Sequence, residues 1–164
     1  MTQTRELVGA WRLNNQINLH LIDGISAAGM TSTMSTRGGR DVARQFVHVH
    51  NVRWTWLSMA GPRWAKGVTK LNPKVMPSKA RLKSAHTASS EAVGRWIAAA
   101  IDEGVKMKNF AGGPYKALGY FLAHDAHHRG NILLTLKLSG HKVDADTQYG
   151  IWWSWHKKAR RGIS

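Results

Sequence analysis

His124 and His128 stand four residues apart in the stretch Phe121-Leu122-Ala123-His124-Asp125-Ala126-His127-His128-Arg129-Gly130. On a helix, that spacing stacks two side chains on one face. Two neutral imidazoles so placed can close on one divalent metal ion, and histidine is the commonest metal ligand. At about 100° per residue, Leu118, Phe121, His124, Asp125, His128, Ile132, Thr135 and Leu136 share a sector of roughly 120°. The pair is therefore expected on the apolar, inward side of its helix, with His127 turned elsewhere. A single buried histidine is ordinarily a satisfied core residue. Two at this spacing among apolar neighbours must each be kept neutral and paired. HxxxH is nevertheless a short motif that chance places on many helices.

A metal site of this kind needs a third ligand, and Val47-His48-Val49-His50-Asn51-Val52-Arg53 offers two. His48 and His50 lie about 200° apart on a helix, so at most one of them faces the interior. Periodicity does not choose between them. His48 sits with Val52 and Thr55, and His50 with Phe46, Trp54 and Leu57. Three imidazoles on one side of an ion leave coordination positions open. Such a site can lower the pKa of bound water, polarise an oxygen ligand or activate a thiolate. The chain has no cysteine. This excludes disulfides, cysteine zinc fingers, iron–sulfur clusters and a thiolate nucleophile of its own. Any thiol at the site would come from a cofactor or substrate.

Neighbouring polar residues carry two readings each. Asp125 and Asn51 are candidate partners for imidazole N–H groups; the plainer alternative is a solvated side chain or local helix hydrogen bonding. Arg129 could bind a substrate carboxylate or make a structural ion pair. Tyr120 and Trp54 could line a pocket or pack in the core.

The elements that must position these groups are helices. Strand alternation is weak, and Asn-Gly and Asp-Gly turns are absent. Apolar spacing predicts helices over about Thr4–Ile25, Arg40–Ala60, Ser78–Glu103 and Tyr115–Leu138. Gly61-Pro62, Gly104 and Ser139-Gly140 mark three of the ends. The segment Ser26–Gly39 reads as a loop, and Arg63–Pro77 as a basic connector. Trp152, Trp153 and Trp155 are expected to pack back on the bundle, with a basic, solvated tail over 155–164. Four long helices with unequal loops give an all-α four-helix bundle. The two long loops permit crossover connections.

At 164 residues and 43% hydrophobic content, the chain reads as one globular domain over 1–164. No apolar run is long enough for a membrane span, and the N-terminus lacks the layout of a secretory signal. The expectation is a soluble, cytoplasmic protein. The formal net charge of +15 attracts phosphates and other anions without any dedicated site. Basic residues of the connector and tail, together with Trp64 and the tail tryptophans, make a competing reading as a non-specific nucleic-acid binder. No helix-turn-helix, RNA-recognition or zinc-finger pattern accompanies them. A third reading is a metal-free structural dimer whose histidines are core polar residues.

The blocks FVHVHNVRWTWL, HDAHHRGNI and LSGHKVDADTQYGIWWSW resemble the DinB/YfiT-like family of damage-inducible proteins. The resemblance runs from about Arg5 to Trp155, with the blocks in the family's order and spacing. It implies an up-down-down-up four-helix bundle, often a homodimer, with a divalent ion (commonly nickel or zinc) held by three histidines. Matched residue by residue, it implies His48, three before Asn51, as the second-helix ligand, with His124 and His128 as the fourth-helix pair. His50 is then an extra histidine and the fallback ligand. The activities implied are metal-dependent hydrolysis, or transfer or isomerisation with a low-molecular-weight thiol. The high positive charge and the Met/Ser/Thr/Gly loop before the second helix depart from the family's pattern.

Overall fold

The structure, a computed structural model, describes residues 3–156. Among them are seven helices: α1 (Gln3–Gly24), α2 (Ala27–Met30), α3 (Val42–Ala60), α4 (Pro62–Ala65), α5 (Lys79–Asp102), α6 (Gly113–Leu138) and α7 (Ala145–His156). The four long ones start and stop close to the positions expected from the sequence. The Asp41 carboxylate accepts the Arg44 N–H at 2.7 Å at the start of α3, and the Ser78 hydroxyl accepts the Arg81 N–H at 3.1 Å at the start of α5. Each satisfies an N–H that the first helical turn leaves unpaired. Gly61, at φ 135°, ends α3. That region is open to glycine and strained for other residues. The 26–39 loop contains the short α2, capped by Ser26.

Side-chain contacts give the helix directions. Thr4 bonds Asp102, and Lys83 reaches Asp23, so α1 and α5 are antiparallel. Phe46 packs on His86 and Arg53 reaches Ser89, so α3 and α5 run in the same direction. Trp11 meets Phe121 and Asn18 meets Arg129, making α1 and α6 parallel. The order is up-down-down-up. Helices α1 and α3 each lie along α5 and α6 and face each other across the core.

The core has two apolar halves. One holds Ile17, Leu21, Phe46, Leu82, Ile132 and Leu136; the other holds Trp11, Leu57, Val93, Trp96, Ile97 and Phe121. Between them lies a buried polar layer: Asn14, Asn15 and Asn18 from α1, Arg53 from α3, His86 and Ser89 from α5, and Asp125 and Arg129 from α6.

The C-terminal segment does fold back, as α7, but not through its tryptophans. It buries Thr147 and Ile151. A Cβ on Gly24 would collide with the Thr147 side chain, and one on Gly150 with the His20 ring, so the two helices seat closely. Trp152, Trp153 and Trp155 stay exposed. The basic residues after His156 lie outside the described residues. No helix among those described is long and apolar enough to cross a membrane.

Candidate metal centre

His48 comes from α3, and His124 and His128 come from the antiparallel α6. Their candidate ligand atoms all lie within 4.8 Å of one another. The ring centroids are 5.3 Å apart for His48–His124, 4.8 Å for His48–His128 and 4.7 Å for His124–His128. Imidazole nitrogens about 2.1 Å from a tetrahedral ion sit about 3.4 Å from each other. The three rings would have to draw together by about 1.4 Å at most to reach that spacing.

All three rings are half-buried. His124 and His128 lie on the flank of α6 that faces α3, not on its deepest line. Phe121, Asp125, Ile132 and Leu136 occupy that line. Partial burial holds each ring in its neutral, ligand-competent form. His48 is lowered to about 4, by burial first and then by the charges of Arg40 and His124. His128 is lowered to about 4, again by burial first and then by its histidine neighbours. His124 is lowered by burial, against the opposing pull of Asp125.

Beneath the rings, Asp125 is fully buried. Its Oδ2 accepts from Asn14 Nδ2 at 2.7 Å and Asn18 Nδ2 at 2.9 Å, and it pairs with Arg53 Nη2. Burial pushes this carboxyl up, but the charge and hydrogen bond of Arg53, helped by Arg129, prevail and hold it below its usual value. Asp125 Oδ1 has no partner, nor do Nδ1 of His124 and Nδ1 of His128, and all three atoms are buried. His124 Nδ1 and Asp125 Oδ1 are 4.0 Å apart. Unpaired buried polar atoms are costly and rare, so a donor ring and an acceptor oxygen left open side by side fit a site completed by an ion. A ring that gives one nitrogen to a metal turns its other N–H onto such an acceptor.

The remaining candidates are placed elsewhere. His50 is fully buried and directs Nε2 at the Thr69 carbonyl, 2.9 Å away. Asn51 donates to the Leu71 carbonyl and accepts the Leu71 N–H, both at 2.9 Å. Its amide therefore holds the connector and not an imidazole. Arg129 donates to Asn18 Oδ1 at 2.9 Å within the buried layer. Tyr120 stacks on His124 with centroids 5.8 Å apart and meets the edge of Trp56. Trp54 lies under Lys70, and Trp64 under Arg63, so each of these rings already has a cation over one face.

Arg53, Asn14, Asn18 and His86 were not singled out from the sequence. A signal was present in α1, where Asn14, Asn15 and Asn18 interrupt the stripe that joins Trp11 to Ile22 at helical spacing.

The DinB family model matches residues 1–158. The chain belongs to the DinB family. No curated protein and no solved structure matches it significantly. In this DinB chain the histidines of the second and fourth long helices converge on one place, and His50 does not join them.

Proposed function

We propose that this DinB protein, acting as one domain over 1–164, holds a divalent ion, nickel or zinc, on His48, His124 and His128. In this reading it carries out metal-dependent hydrolysis or a thiol-dependent transfer on a small molecule. The observation that carries the proposal is the convergence of three imidazoles from two helices within 4.8 Å. When bound, the ion supplies Lewis-acid activation of a water, a thiol or a small oxygen ligand. The chain's own part is to present three neutral rings, to fix the His124 ring through Asp125, and to wall one side with Tyr120 and Trp56. All three ligands belong to one chain, so the homodimer that family membership suggests would not be needed to complete the centre.

Protein purified without a histidine tag should carry close to one equivalent of nickel or zinc by elemental analysis. His124→Ala should lose it while keeping its helical circular dichroism. A well-folded protein that takes up no ion, even when nickel and zinc are supplied, would end this reading.

A further inference from the structure

The metal centre leaves unexplained both the tryptophans of α7 and the charge of the chain. Trp152 is 64% exposed, and Trp153, Trp155 and Tyr149 also face solvent. On α6, Leu134 and Leu138 are 54% and 59% exposed. A shared cleft links Leu134 of α6 to Gln148 of α7. Leu133, Leu134, Lys137, Lys142, Val143 and Gln148 line a cleft of about 230 Å³ between the end of α6 and the start of α7. Trp152 and Trp155 follow Gln148 by one and two turns on the same helix face. Large apolar side chains gathered on one exposed surface mark an interaction site.

We propose that this α6–α7 face docks on an anionic lipid surface. Charge indicates the sign of the partner. The chain carries +15, and Lys137 and Lys142 line the cleft. Two carboxylates stand nearby at the start of α7. Asp144 is turned onto its own helix, accepting the Thr147 N–H at 2.7 Å and the Thr147 hydroxyl at 3.0 Å, and Asp146 is exposed. A second copy of so cationic a chain would meet this face with like charge. The leucines favour lipid over nucleic acid. Bases stack on aromatic rings, whereas Leu134 and Leu138 offer no flat ring and partition into acyl chains. Tryptophan and tyrosine belong at the headgroup level, and cations hold anionic headgroups. The attachment is peripheral, made by a surface helix and its neighbour.

The test is co-sedimentation of the full chain with phosphatidylcholine vesicles, with and without phosphatidylglycerol, alongside quenching of tryptophan fluorescence by brominated lipid. Binding should require phosphatidylglycerol, weaken as salt rises, and be accompanied by quenching. Leu134→Ser with Trp152→Ser should lose the quenching. Lys137→Glu with Lys142→Glu, which leaves the apolar residues in place, should weaken binding by at least about fivefold for each cation removed. Failure to bind anionic vesicles overturns the proposal. So would single-stranded DNA binding, or a dimer seen by sedimentation, that the leucine–tryptophan variant abolishes while vesicle binding persists. Metal content plays no part in any of these readouts.

Discussion

Asp125 offers one oxygen to three donors and the other to none, and the open oxygen points toward a metal-ligand candidate. If it orients His124, Asp125→Asn should weaken zinc or nickel binding about 10- to 100-fold in competition with a chromophoric chelator. A loss of stability in urea with unchanged metal affinity would leave Asp125 only its partnership with Arg53. The His124/His128 pair was legible because its geometry is local: a spacing of four and the helical repeat suffice. The role of Asp125 was not. Its place on the wheel showed that it faced inward, but its partners come from α1 and α3, and no spacing within α6 reveals them. The same holds for Arg53, which reads on the sequence as one more cation of a very basic chain.

At the scale of elements, α3 serves both α6 and the connector. His48 turns to α6, while His50 and Asn51 turn to the connector and fasten it at Thr69 and Leu71. This explains why periodicity could not choose between the two histidines: both leave water, toward different partners. Removing the Asn51 amide leaves the Leu71 N–H and carbonyl without their partner. Asn51→Ala should cost about 1–3 kcal/mol and speed hydrogen exchange across the connector, with metal content unchanged. Exchange measured by mass spectrometry, together with elemental analysis, checks both halves. The end at Gly61 was readable because stop signals are local, whereas the caps Asp41 and Ser78 are seen only in the structure. The seating of α7 was only half readable. Clustered tryptophans suggest burial, yet the closeness that Gly24 and Gly150 permit lets Thr147 and Ile151 take the contact.

Across the whole molecule, a polar layer splits the core, and it makes the fold sensitive to acid. His86 is fully buried, and its pKa is lowered to about 3 from 6.5 by burial first and then by the charge of Arg53. The unfolded chain therefore takes up this proton before the folded one does. The contribution to stability is complete above pH 6.5 and is lost as pH falls toward 3. Its slope is at most about 1.4 kcal/mol per pH unit. Urea unfolding of ion-free protein across that range should show stability declining with acid, less steeply in His86→Gln. An identical slope in the variant would contradict the assignment.

The crosswise placement of the long helices also bears on the chain's earliest moments. Helices α1 and α3 leave the ribosome first, yet each rests lengthwise on α5 and α6 rather than on the other. Until the later half is made, their greasy sides have no lasting shelter. A chain stalled after the connector is thus a sticky, half-made object, and the pause before α5 appears is when a holding chaperone would matter most.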